Sequence, residues 1–371
     1  MTTVSDVASG PRRPPKLTTG PIAWVRANLF SSWTNTILTV VSIYIAARVA
    51  MGVFDWAVVH ATFSGADGAA CTREGSGACW PFISAKFSQF MCGRYPEEER
   101  WRVDLTYVLA LAGLVPLMIP RAPGKLWLSL YVLFVFPVIA FVLLVGGMFG
   151  LPHVGTELWG GLLVTLVVSI TGIVTSLPLG ILLALGRRSH LPAVRIFSVC
   201  FIEFWRGVPL ITVLFFATYM LPLFLPGDFT IDALVRVLVG IALFAGAYNA
   251  EVIRGGLLAI PRGQREAANA LGLSYWKTTG LIVLPQALRH VIPALVNSFI
   301  ALFKDTTLVL IVAIFDPLGQ LRAAFADPTW ATPTTLFTGF AFTGIIYWVG
   351  CFAMSRYSLF VERRLNAHRN T

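Results

Sequence analysis

Eight stretches of this chain are apolar for long enough to cross a bilayer, and charged residues gather at their ends. The stretches lie near residues 34–55, 104–120, 125–149, 158–186, 194–225, 231–256, 286–314 and 335–358. A spanning helix needs roughly 20 mostly apolar residues. In hydrocarbon, every backbone N–H and C=O must find its partner within such a helix. The pattern predicts an all-α integral membrane protein with about eight transmembrane helices. Two places break it: a long polar insertion at 57–103, and a Gly-Pro interruption inside the fifth stretch at Gly207-Val208-Pro209.

Positive charge falls on alternate connections. Arg121 and Lys125 lie between stretches two and three, and Arg187, Arg188 and Arg195 between four and five. Arg262, Arg265, Lys277 and Arg289 lie between six and seven, and Arg363, Arg364 and Arg369 follow the last. The intervening loops 150–157 and 226–231 have no Lys or Arg, and 315–334 has only Arg322. The positive-inside rule therefore places both termini in the cytoplasm, together with Arg12, Arg13 and Lys16, and puts 57–103 outside. Residues 1–33 read as a cytoplasmic tail. They contain no apolar signal-peptide core before Arg26, so the first stretch is expected to be an uncleaved anchor. The external segment holds Cys71, Cys79 and Cys92. An oxidising exterior permits one disulfide among them and leaves one thiol over, and spacing does not choose the pair.

Composition narrows the function classes. Of the 371 residues, 56% are hydrophobic and 12% charged, against about 25% charged in a soluble domain. The net charge of +10 sits at span ends rather than on a soluble basic face, so no nucleic-acid partner is expected. His60, His153, His190, His290 and His368 are scattered, without metal-ligand spacing. No Ser/His/Asp or H-E-x-x-H arrangement occurs, so no catalytic residue and no metal is assigned. A phosphate loop of the form G-x-x-x-x-G-K-[ST] is also absent, so ATP must be handled by another chain.

The connection between stretches six and seven reads as two short helices with a turn. Pro261 suits a first turn, Ala267, Ala268 and Ala270 favour helix, and Gly272 stands where a left-handed residue ends one. Ser274 is placed to cap a second helix, whose aromatic residues suit a groove of another protein. The alternative is a connector lying on the inner leaflet. Inside the membrane, ionisable side chains cost roughly 2.5–3.5 kcal/mol each on insertion scales, so they are candidate functional groups. They form three sets: Glu203 and Arg206 beside Gly207 and Pro209; Tyr248, Glu251 and Arg254; and Lys304, Asp305, Thr306 and Thr307. A zwitterion needs a cation for its carboxylate, for which Arg206 or Lys304 serves. It needs an acceptor for its ammonium, for which Glu203 or Asp305 serves. Internal pairing, of Glu203 with Arg206 or Lys304 with Asp305, is the competing reading.

These residues carry a resemblance. Glu266-Ala267-Ala268, Gly272, Ile282 and Leu284-Pro285 resemble the "EAA" loop of permeases of ATP-binding cassette (ABC) importers. Arg206-Gly207-x-Pro209, the run 247–256, Gly263-Gln264-x-Glu266-Ala267-Ala268 and Lys304-Asp305-Thr306-x-Leu308 fall in the order of the polar amino-acid branch. Val208 stands where that branch commonly has Thr, and Thr307 where it often has Ser. The resemblance covers residues 158 to about 362. The added N-terminal spans resemble the larger permeases of general L-amino-acid importers.

The resemblance implies a C-terminal five-helix type I importer core at 151–366, with extra transmembrane helices at 34–150. It implies a coupling loop at 261–285 in which Gly263, Glu266, Ala267, Ala268 and Gly272 meet an ABC ATPase. The substrate pathway is then expected from Glu203, Arg206, Gly207, Pro209, Tyr248, Glu251, Lys304, Asp305, Thr306 and Thr307. The expected partners are two copies of the ATPase holding ATP and Mg, a homologous second permease, a periplasmic amino-acid-binding protein and an amino-acid substrate. The expected location is the bacterial inner membrane, the expected mechanism alternating access. The alternative is an ion-coupled secondary transporter or channel, which gives no reason for the 261–285 loop.

Overall fold

The computed structural model describes residues 20–119, 122–226 and 230–366, and among them there is no strand. Arg12, Arg13, Lys16, Arg121 and Arg369, used above for orientation, lie outside the described residues. The helices are α1 (Pro21–Asn28), α2 (Trp33–Val59), α3 (Trp80–Cys92), α4 (Arg100–Met118), α5 (Lys125–Val145), α6 (Gly161–Gly186), α7 (Pro192–Gly207), α8 (Leu210–Phe224), α9 (Ala233–Ala259), α10 (Arg262–Ala270), α11 (Tyr275–Val312), α12 (Pro317–Phe325) and α13 (Pro333–Asn366). Among the described residues seven are long and apolar enough to span, and α7 with α8, bent by 100° at their junction, is long and apolar enough when the pair is taken together. The bend falls at Val208-Pro209, because Pro209 has no N–H to continue the α7 ladder.

Two expectations need correction. The second short helix of the connection between spans six and seven does not exist as a separate element: from Tyr275 the chain continues into span seven. A π-helical turn over Thr278–Val283 precedes Leu284-Pro285, and its extra residue accommodates the hydrogen bond that Pro285 cannot make. The segment 57–103 is also more than a loop, since it holds α3. Phe82, Ile83 and Phe90 lie on one face of α3, buried against Leu321, Ala324 and Trp330.

α6 and α9 lie side by side and form the spine of the core with α11. Small residues allow the approach, as is usual between membrane helices. At Gly180 an added Cβ would stand 3.0 Å from the Asn249 Cβ, and at Gly256 it would stand 2.6 Å from the Ala287 carbonyl oxygen. Asn249 is fully buried there. It donates to Ser176 Oγ at 3.0 Å and accepts from Ser298 Oγ at 2.9 Å, tying all three helices together.

Segments 57–99, 146–160 and 313–332 share one end of the bundle. Gly68 N donates to Thr329 O (2.8 Å), Arg94 N to Leu158 O (3.0 Å) and Gly161 N to Phe315 O (2.7 Å). Segments 187–191 and 260–274 share the other end, where Arg188 Nη1 donates to Leu257 O at 2.9 Å. At the first end Cys71 and Cys79 form the disulfide, with Cα atoms 5.7 Å apart, and Cys92 is a buried free thiol. Burial, reinforced by Asp104, pushes the Cys92 thiol up to about 11, so it stays protonated and unreactive. By contrast α2 buries none of its residues, and Arg48 within it is exposed.

Candidate functional site

The break between α7 and α8 gathers the first two sets of candidate residues. Arg187, at the end of α6, donates to Glu203 Oε1 of α7 at 2.9 Å and to Glu251 Oε2 of α9 at 3.4 Å. Arg254 binds Glu251 with both Nε and Nη2. Arg206 lies 5.7 Å over the ring of Tyr248, whose hydroxyl donates back to the Arg206 carbonyl at 3.4 Å. Glu203 therefore pairs with Arg187 across helices, and the i,i+3 pair with Arg206 does not form. Three guanidinium groups face two carboxylates. Arg206, whose side chain is exposed, has no acid within ion-pair distance among the described residues. Gly207 and Pro209 are exposed at the break, and an added Cβ at Gly207 meets nothing within 4 Å. The role of Gly207 is thus to interrupt the helix, not to admit a close neighbour.

The third set stands apart. Lys304 is exposed and Asp305 partly buried, and no hydrogen bond or ion pair among the described residues joins either to the other or to the Arg206 cluster. Thr307 Oγ1 donates to the Lys304 carbonyl at 3.0 Å. Thr306 is fully buried, donating to Phe303 O at 2.7 Å and lying 3.4 Å from the Tyr347 hydroxyl. That hydroxyl donates to Asp316 Oδ2 at 2.7 Å. Thr306 thus belongs to the packing between α11, α12 and α13 and does not line an open path.

At the opposite end α10 projects from the bundle. Gly272 takes φ +72, and its N–H donates to Asn269 O at 2.9 Å. Leu273 N donates to Ala268 O at 3.1 Å, closing the helix end in the way only a residue tolerant of positive φ permits. Glu266, Ala267, Gly263 and Gly272 face outward, whereas Ala268 is 1% exposed and turns into its own subunit. Ala268 therefore packs the helix down and does not offer a contact. Beyond it Leu271 is 79% and Trp276 72% exposed, next to Tyr275.

Arg187 and Asn249 were not among the expected site residues. Arg187 read only as an orientation marker. The sequence carried no signal for it, because Arg206, three residues on from Glu203, already stood as the nearer partner, and the contact of Arg187 with Glu203 spans 16 residues. Asn249 carries no pattern beyond being an amide in an apolar run.

Residues 176–367 match the model of a family described as binding-protein-dependent transport system inner membrane component. The chain is 50% identical over 353 residues to the inner membrane amino-acid ABC transporter permease protein YhdY of Escherichia coli (strain K12), with 94% of each chain covered. It is 38% identical over 423 residues to the glutamate/glutamine/aspartate/asparagine transport system permease protein BztC of Rhodobacter capsulatus, with 96% of each covered. Among solved structures, an amino acid ABC transporter with histidines is similar over 54% of this chain and 90% of that chain, at 27% identity and a TM-score of 0.46.

Proposed function

We infer a division of labour along this chain from one premise: it belongs to the family of binding-protein-dependent transport system inner membrane components. It is a permease subunit of an ABC importer for amino acids and a multi-pass protein of the inner membrane. It is not an enzyme, and ATP hydrolysis belongs to a separate ATPase. The family works with an ATPase and a substrate-binding protein. We assign this chain two ATPase copies holding ATP and Mg, a second, homologous permease and a periplasmic amino-acid-binding protein. Both termini lie in the cytoplasm, which leaves 57–103 outside.

The substrate path passes the α7–α8 break. One observation carries this: the cluster of Arg187, Glu203, Glu251 and Arg254 is internally paired, and Arg206 is the cation left over. Its guanidinium has donors to spare for the carboxylate of an amino acid, and the free N–H groups at the start of α8, four residues on, add to that attraction. Glu203, already shared with Arg187, accepts the ammonium. Lys304 and Asp305 form a second polar station on α11, and the α10 loop passes the ATPase stroke into α9 and α11. A channel or ion-coupled transporter would need none of that loop.

The test is uptake by the reconstituted transporter. Arg206→Ala should lower uptake by about 10- to 100-fold, the range for a lost hydrogen bond to a charged group. Arg206→Lys should recover part of it. Asp305→Ala should reduce uptake less. Unchanged uptake in Arg206→Ala, with normal assembly, refutes the assignment.

A further inference from the structure

We propose that the cleft beside the α7–α8 break binds one anionic phospholipid, with an acyl chain between α7, α8 and α9 and its phosphate on Arg236. The cleft has a volume of about 610 Å³, inside the range of roughly 300–1,000 Å³ found for small-molecule sites. Phe204 and Trp205 of α7, Phe216 and Leu221 of α8, and Val239 and Leu243 of α9 form most of its wall. Among the described residues, Arg236 is the only charged one that lines it, and no carboxylate does. An amino-acid zwitterion would leave its ammonium without an acceptor there. A hydrocarbon chain meets the wall on its own terms.

The polar end is equally specific. Arg236 lies within the first turn of α9, at the depth where a spanning helix enters the headgroup region. Val235, Val239, Gly240 and Leu243 continue from it along one face of α9, a stripe about 12 Å long that points toward mid-bilayer. Arg236 Nη1 donates to the carbonyls of Ala217 and Thr218. Its Nε is buried without a partner, and so is the hydroxyl of Thr218. Among the described residues only Trp159 Nε1 and Thr343 Oγ1 share that condition. Two of these four orphaned atoms thus fall on one hydrogen-bonded pair, of which Arg236 lines the cleft and Thr218 directly follows Ala217 of its wall. A phosphate oxygen at the guanidinium is the acceptor that Arg236 lacks. With no acid within ion-pair distance of Arg236 among the described residues, a lipid of net negative charge balances it where a zwitterionic lipid does not.

The experiment is native mass spectrometry on the delipidated, detergent-purified transporter, titrated in parallel with phosphatidylglycerol and phosphatidylcholine. Wild type should take up one phosphatidylglycerol per chain, about 10-fold more tightly than phosphatidylcholine. Arg236→Gln should abolish that preference and leave phosphatidylcholine binding as it was. Val239→Trp, which fills the cleft from its exposed edge, should lose both lipids, and it carries the test if Arg236→Gln fails to assemble. Equal binding of the two lipids by wild type, or wild-type phosphatidylglycerol binding in either variant, overturns the proposal. Displacement of the lipid by an equal concentration of inorganic phosphate would overturn the role of the acyl chain.

Discussion

At the end of the bundle that carries residues 57–99, the chain satisfies itself. The Cys79 N–H donates to Thr338 Oγ1 (2.8 Å), and Thr334 Oγ1 donates to the Cys71 carbonyl (3.0 Å), so the disulfide loop is clasped to α13. Arg102 is fully buried, with Glu99 and the carbonyls of Leu143 and Pro152 as acceptors. Asp316 is buried too, capping α12 and receiving the Tyr347 hydroxyl. At the opposite end α10 buries only Ala268, while Leu271, Tyr275 and Trp276 point outward. An added Cβ at Gly263 or Gly272 meets nothing within 4 Å of this chain. Small residues with empty space around them, beside bare aromatics, are what a surface completed by a second protein looks like. One end is finished by its own side chains, and the other leaves open the face on which we place the ATPase.

The sharpest way to break that contrast is Gly272→Asp. Its backbone at φ +72 costs a non-glycine residue roughly 1–2 kcal/mol, and the added carboxylate enters the outward face. Uptake and substrate-stimulated ATPase activity should fall about 100-fold or more, as for loss of an interface hot spot. The melting temperature of the isolated permease should fall only by the few degrees, about 2–5 °C, that this strain implies. Retained uptake would mean that α10 has no docking role. A variant that fails to insert would mean that Gly272 belongs to the fold.

Arg102→Met tests the other half. Removing one partner of a buried pair leaves Glu99 and two carbonyls uncompensated, which should cost about 3–5 kcal/mol. The loss should appear as a lower melting temperature of the detergent-solubilised chain, with ATPase docking by folded molecules intact. A neutral effect would show that this end is not held by its own network.

The difference between the two ends also explains what could be read from the sequence. Spans were legible because the bilayer forces long apolar runs, and the break at Val208-Pro209 was legible because proline must break a ladder there. Gly272 was legible because its left-handed backbone is a local requirement. The length of α11 was not: Tyr275, Trp276 and Lys277 are helical yet too polar to count as membrane, so hydropathy found only the part beyond 286. Nor were the choice of Cys71 with Cys79, the Arg187 hub, or the pairing of Tyr347 with Asp316. Each depends on the register between elements distant in sequence, which periodicity within one element does not encode.

The finest adjustment to the comparison is the ion pair of Lys86 and Asp327, 2.7 Å apart, which pins α3 to the segment after α12. The Lys86 ammonium, helped by Thr329, holds the Asp327 carboxyl down at about 2, from an ordinary value of 3.8. The group binds fewer protons folded than unfolded, so its contribution is complete above pH 3.8 and fades as pH falls toward 2. Asp316 acts in the opposite sense, because burial pushes its carboxyl up, so on its own it favours the fold as pH falls. That effect is common to wild type and Lys86→Met and cancels between them. The melting temperatures of the two should therefore differ by only about 1 °C near pH 6, as expected for a partly exposed pair. They should converge by pH 2. A gap that persists at pH 2 would assign the contribution of Lys86 to the packing of its aliphatic stem, and one that widens would contradict the pairing itself.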